Sequence, residues 1–222
     1  MNGIKNANIE REKIRPLKQT SVYEFIVIMQ IVWLKRDLRT QDHLPLCKAI
    51  ESGTPLLLIY IFEPSIMRIP EHDLRHWRFI YQALQDINKR LEAFGGRVHL
   101  FYAEAIDVFS HLYQHLGAFT LQSHQESGQA ITFERDKLIK KWCSNSNITW
   151  HEYPQNGVFR GLKNRKDWLK LYHAEVNRAL HQPDWTKARF ADLGEGFEHL
   201  MLLNALPQGV SMPDKNMQPG GE

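Results

Sequence analysis

The feature that most constrains this chain is a regular alternation between short apolar runs and segments with helical period. Apolar runs occupy residues 25–34, 55–62, 97–102, 118–122 and 148–153. Their enrichment in Ile, Val, Leu and Phe suits strands covered on both faces. Between them, Leu74, Trp77, Tyr81, Leu84, Ile87, Leu91 and Phe94 recur at three- and four-residue steps, one face of a helix, and Gly95-Gly96 supplies its left-handed stop. Ile106, Phe109, Leu112, Tyr113 and Leu116 repeat the pattern before Gly117. Leu138, Ile139 and Trp142 mark a third helix, and Leu169, Tyr172, Val176 and Leu180 a last one. Strands and helices in this order need right-handed crossovers. The expected fold is α/β, a Rossmann-like, doubly wound, mostly parallel five-stranded sheet with helices on both faces.

Residues 1–24 lack a sustained apolar period and read as a disordered leader, with Met29 an alternative initiator inside the first run. Residues 25–181 form the α/β domain. Prolines 183, 207, 213 and 219 break residues 182–222 into a linker, with one short helical piece over 197–203. A net charge of +3 is too small to coat nucleic acid, so any DNA contact must come from a local patch. Cys47 and Cys143 lack metal-ligand spacing and suit reduced thiols in a cytoplasmic protein. No apolar run is long enough to span a membrane.

In such sheets ligands bind beyond the carboxyl ends of the strands, and three loops there carry unusual content. WLKRDLRTQDH (33–43) packs Lys35, Arg36, Asp37, Arg39 and Asp42 together. Arginine forks can clamp a carboxylate or phosphate, with aspartates holding the forks; a salt-bridged cap on the strand ends is the plainer alternative. In SHQESGQA (123–130), Glu126 and Gln129 can hydrogen-bond a heteroaromatic ligand while Gly128 allows close backbone approach; the alternative is a polar helix-entry turn. PQNGVFRGLKNR (154–165) combines an Asn156-Gly157 turn with a basic cluster of Arg160, Lys163, Arg165 and the adjoining Lys166. That cluster fits either a solvated face or contact with a neighbouring domain or phosphate. Glycine-rich dinucleotide and P-loop cradles are missing, as is a nucleophile elbow. The pairs His72/His76 and His111/His115 stand four apart, but neither has a clear third ligand in sequence, so no metal is assigned. The six tryptophans are read as packing residues.

The segment IVWLKRDLRTQDHLPL (31–46) resembles the opening signature of the DNA photolyase/cryptochrome family. IYIFEP (59–64) and the Trp77-centred helix are similar to that family's second strand and the long helix after it. HQESGQAITFERDKLIKKWC (124–143) and EYPQNGVFRGLKNRKDW (152–168) resemble a bacterial branch, and QPGGE at 218–222 is similar to the entrance of its flavin-binding domain. The resemblance implies the N-terminal α/β domain of a flavoprotein, cut before the helical domain that holds FAD. In the family, reduced FAD, excited by light, passes an electron to a pyrimidine dimer flipped out of DNA. The α/β domain holds, in many members, an antenna chromophore: a folate, a deazaflavin or another flavin. No catalytic side chain is therefore expected here. Arg36, Asp37, Leu38 and Arg39 match the motif whose loop borders the antenna cleft, and Glu126 aligns with a glutamate beside the folate of some members. Gly128 and Gln129 replace the asparagine–glutamate pair that comes next in that folate pattern. Implied partners are the FAD domain and, through it, damaged DNA, for a monomer that touches no membrane. A cryptochrome photoreceptor without repair activity and a stand-alone nucleotide- or flavin-binding module are the alternatives.

Overall fold

The computed structural model describes residues 28–201, 209–212 and 218–221; the leader read over 1–24 lies outside them. The strands are β1 (Met29–Leu34), β2 (Leu56–Phe62), β3 (Val98–Tyr102), β4 (Phe119–His124) and β5 (Thr149–Tyr153). They form one sheet in the order β3-β2-β1-β4-β5, every pair parallel. The chain thus winds outward from β1 to β3, returns to the middle, and winds outward again through β4 and β5. Between β1 and β4 the direction of winding reverses, and the crossovers leave a crevice there at the carboxyl ends of the strands.

β2 is apolar throughout, and β1 nearly so, because both sheet faces are covered there; all seven residues of β2 are buried. On one face, Val32, Leu34, Leu58 and Phe62 pack with Leu46 and Ile50 of α1 (Leu44–Glu51). Leu84, Ile87 and Leu91 of α3 (Leu74–Leu91) join them, after the short turn α2 (Pro64–Met67). On the other face, Ile31, Trp33, Ile59 and Phe101 meet Val108, Phe109 and Leu112 of α4 (Ala105–Leu116), and Ile139 and Cys143 of α5 (Ala130–Asn145). The expected doubly wound α/β architecture is the observed one.

The local departures have physical reasons. α1 gives no readable period because it is only eight residues long, yet it is well started: Pro45 sits in its first turn and His43 Nδ1 accepts the Leu46 N–H at 3.3 Å. α3 runs into a 3-10 turn over Glu92–Phe94, which stops where Gly95 adopts φ 69°, a conformation that costs glycine little. Leu138, expected on the core face of α5, points outward at 51% exposure, while Ile139 beside it is fully buried. The last expected helix forms as α6 (Trp168–Val176), but it buries none of its residues: its apolar stripe faces outward.

The stretch past residue 182 lies against the sheet. The Leu56 N–H donates to Arg189 O, Ala191 N–H to Leu56 O and Tyr102 N–H to Leu200 O, so the open edge beside β3 is partly covered. Leu193 and Phe197 enter the core. Instead of the expected helical piece, Leu200 and Met201 close a turn onto Phe197, and Met201 then bridges Phe101; 202 and 203 lie outside the described residues.

Candidate functional site: a charge-ringed cavity at the switch point

The strand ends converge on a network of opposite charges. Lys35, the first residue past β1, places Nζ 3.2 Å from Asp136 on α5, with side chains only 4% and 5% exposed. Arg135, next to Asp136 in sequence, is the hub. Its Nη1 meets Glu63 at 2.5 Å, beyond the end of β2, and its Nη2 meets Glu126 at 2.5 Å, beyond β4. Arg36 adds a 3.1 Å contact from Nε to the other oxygen of Glu126. Arg160 reaches the Glu126 carbonyl, Asp136 and Glu152. Lys35, Arg36, Arg135 and Arg160 therefore face Glu63, Glu126, Asp136 and Glu152, an arrangement without formal net charge. Trp33 gives it an aromatic floor, with Lys35 Nζ 4.4 Å and the Arg135 guanidinium 4.7 Å from its ring centre.

Burial disfavours every charge here, and the partners decide the outcome. Burial would lower the Arg135 pKa, but Glu63, Glu126 and Asp136 overcome it and raise the value. Burial dominates at Glu63, whose carboxyl is pushed up despite Arg135, and at Lys35, whose ammonium is pushed down despite Asp136.

Behind this ring lies a second cluster. The Asp37 carboxylate is fully buried and receives Lys35 N–H at 2.7 Å and His124 Nδ1 at 2.6 Å. His43 Nε2 lies 2.9 Å from Asp37 Oδ2 but off line for a hydrogen bond. Burial would raise the Asp37 pKa; His43 and the His124 bond hold it well below the usual carboxylate range. Burial in turn depresses His124, outweighing the pull of Asp37.

A cavity of about 550 Å³ opens beside the charge ring, between the β1 and β4 loops and α3. Its wall includes Trp33, Tyr60, Trp77, Arg36, Leu38 and Gln129. Two buried polar atoms have no partner there, Trp77 Nε1, a donor, and Gln129 Oε1, an acceptor. Such atoms are costly unless a ligand or water answers them. Gly128 lies under the Arg36 guanidinium, where a Cβ would stand 3.3 Å from it. Gly221 also reaches the cavity wall, and Gly220 N–H donates to Gln82 on α3.

Of the residues singled out in sequence, Arg36, Leu38, Glu126 and Gln129 come together on this wall. Asp37 turns into the protein, and Arg39 turns to the Asp42 carbonyl at 3.0 Å; neither lines the cavity. Sequence reasoning overlooked Glu63, Arg135 and Asp136. Glu63 had a signal, a carboxylate directly after seven apolar strand residues at the carboxyl end. Arg135 and Asp136 had none, because charges in mid-helix normally face water. Trp77 shows that a packing residue can also present a polar atom to a cavity.

A parallel sheet with a charge-ringed, aromatic-walled cavity at its switch point places the chain among the doubly wound α/β domains. The model of the DNA photolyase family matches residues 30–181, well over half of the sequence. The chain belongs to that family, and its fold is that of the N-terminal α/β domain. Cryptochrome-2 of Gallus gallus is 28% identical over 116 residues, covering 52% of this chain and 20% of the relative. A class III photolyase from Agrobacterium tumefaciens shares the fold with TM-score 0.64 and 22% identity, over 79% of this chain and 37% of that one. An archaeal photolyase from Sulfolobus tokodaii, solved with two FAD molecules, gives TM-score 0.59 and 20% identity, over 74% of this chain and 38% of that one. The chain thus spans about a fifth of the curated relatives it matches. Among the described residues no helix is long and apolar enough to cross a membrane.

Proposed function

We propose that this domain holds a light-harvesting chromophore in the switch-point cavity and belongs to a light-driven, FAD-dependent protein of the photolyase/cryptochrome type. The observation that carries the reading is the pair of unanswered polar atoms, Trp77 Nε1 and Gln129 Oε1, in a cavity with aromatic walls. A flat heteroaromatic ring with a carbonyl and an N–H on its edge answers both; folates, deazaflavins and flavins share that pattern. Arg36 is placed to hold a chromophore's anionic tail: its side chain is 51% exposed and only one of its sides is taken by Glu126. The Sulfolobus tokodaii relative, described with two FAD molecules and a novel light-harvesting cofactor, supports a flavin among the candidates.

The work of such a site is positional. Excitation transfer needs a chromophore fixed in distance and orientation, and the charge ring supplies rigidity without adding net charge. The domain's own residues bind and orient; the electron-transfer chemistry belongs to FAD in a helical domain of the whole protein, with pyrimidine dimers in DNA as its substrate. A photoreceptor without repair activity would use the same cavity, and the flavin-domain sequence distinguishes the two.

The test is reconstitution of the purified protein with methenyl-tetrahydrofolate, a deazaflavin and FAD in turn, followed by fluorescence titration. One of them should bind at one equivalent. Trp77→Phe, which deletes the orphan N–H and keeps the ring, should weaken it about tenfold, the scale of one hydrogen bond to a buried partner. Equal affinity in Trp77→Phe, Gln129→Leu and the parent protein would overturn the placement.

A further inference from the structure

The two histidine pairs with four-residue spacing have different surroundings, and the difference points to a site away from the cavity. On α4, the His111 and His115 rings lie 4.0 Å apart, centre to centre. The third ligand that the sequence does not reveal comes from the tail, where the His199 ring stands 4.7 Å from that of His111. Two imidazoles on one ion at Zn–N distances of about 2.0–2.1 Å have ring centres roughly 5 Å apart, so these spacings are close to those of a shared ion.

The hydrogen bonds set the tautomers. His111 Nε2 lies 2.9 Å from the Gly196 carbonyl, and His115 Nδ1 lies 3.0 Å from the His111 carbonyl. A carbonyl oxygen only accepts, so in both rings that nitrogen carries the proton. The other nitrogen, Nδ1 of His111 and Nε2 of His115, is left with a lone pair. Metal-bound histidines are held in the same way, with the non-ligating N–H on a backbone carbonyl. Phe197 packs against both rings at 5.1 Å. His115 also lies in the last turn of α4, where the helix dipole favours a cation.

The other histidine groups lack this arrangement. His72 and His76 are 6.5 Å apart, and His76 Nδ1 accepts the Asp73 N–H, which spends its lone pair inside the helix cap. Asp37, His43 and His124 are the group among the described residues whose ligand atoms already lie within 4.8 Å of one another. There, however, His43 Nδ1 accepts the Leu46 N–H, so the proton sits on the Nε2 that faces Asp37, and His124 Nδ1 donates to the same carboxylate. Both ring nitrogens that face Asp37 thus carry protons, and neither histidine aims a lone pair at the carboxylate.

We propose that His111, His115 and His199 bind one divalent transition ion of the imidazole-seeking kind (Zn²⁺, Ni²⁺ or Cu²⁺), which staples the tail to α4. Their lone pairs do not yet converge on one point. His199 is exposed, and rotation about its side-chain bonds closes the set while His111 and His115 keep their carbonyl bonds. The Gly196 carbonyl keeps its bond to His111 throughout, so the tail stays docked while the ion binds. Nothing in this site depends on the chromophore reading.

The test uses tag-free protein stripped with chelator and titrated with Zn²⁺ by calorimetry. One equivalent should bind. His115→Ala and His199→Ala should each weaken binding at least tenfold, while His151→Ala, on the edge strand β5, should leave it unchanged. The paramagnetic spectrum of the Cu²⁺ form should show splitting from three nitrogens. Both substituted side chains are exposed, so folding is not at risk. The proposal is overturned by the absence of stoichiometric binding or by binding that survives the His115→Ala/His199→Ala double substitution. Loss with His115→Ala alone, His199→Ala being silent, would also overturn it, because that describes a helix pair without the tail.

Discussion

Alternate residues of the loop after β1 have opposite fates. Lys35 and Asp37 turn inward, with side chains 4% and 0% exposed, and each is surrounded by buried partners. Arg36, between them, is half exposed at the cavity, and Arg39 faces the loop's own backbone. The strand ends at Leu34, and the loop that follows divides one charged string between the interior and the cavity wall. The inward residues hold the loop to α5 and β4, and the outward arginine stands at the cavity wall, where the proposed chromophore would meet it.

The sharpest way to break this division is to remove the buried hub. Arg135→Met would leave Glu63, Glu126 and Asp136 without their main partner and should cost about 3–5 kcal/mol in urea unfolding. A loss below about 1 kcal/mol would show that water, not Arg135, compensates those carboxylates. Asp37→Asn, which keeps shape but removes the buried charge from its histidine and backbone donors, should cost about 2–3 kcal/mol.

Acid should act mainly on buried groups. His99, buried in β3, has its pKa pushed down to about 4 by burial, with Arg97 adding to the effect, and His124 is depressed as well. Below the ordinary histidine pKa of about 6.5 the unfolded chain takes up protons that the folded protein refuses, so stability falls as pH drops. Between pH 7 and about 5 the loss attributable to His99 should be on the order of 2 kcal/mol, and His99→Gln should flatten that part of the profile. Asp37 acts at lower pH: its contribution is complete above about pH 4, the unfolded carboxylate value, and fades as pH falls toward its depressed folded pKa.

The smallest effect on stability is expected at the outward residue. Arg36→Ala should change unfolding by no more than about 1 kcal/mol, since the side chain is half in solvent. The same substitution should weaken chromophore binding about tenfold, the scale of one charged hydrogen bond. If Arg36→Ala destabilises the fold as much as Asp37→Asn does, the inward and outward roles are not separate.

Much of this molecule was legible because sheet burial leaves a direct imprint. Strands covered on both faces, β1 and β2, are nearly continuous apolar runs, and all five strands were readable to within a few residues. The loop after β1 was also readable, since charges packed at a strand's carboxyl end stand out against the apolar run before them. Other features were not. Leu169 and Val176 repeat like a core face, yet α6 leaves them 58% and 51% exposed, because periodicity reports amphipathicity and not what covers it.

The sequence by itself determined the parallel α/β sheet, its strand positions, the family and the identity of the rim, because each is encoded locally by burial period and motif. Only the tertiary structure decided which rim charges point inward. It also joined Glu63, Arg135 and Asp136 into one network and brought His199 beside His111. Those contacts span 72 and 88 residues of chain, and their energies come from desolvation and from which lone pairs are already spent. Neither quantity exists until the chain has folded around the groups.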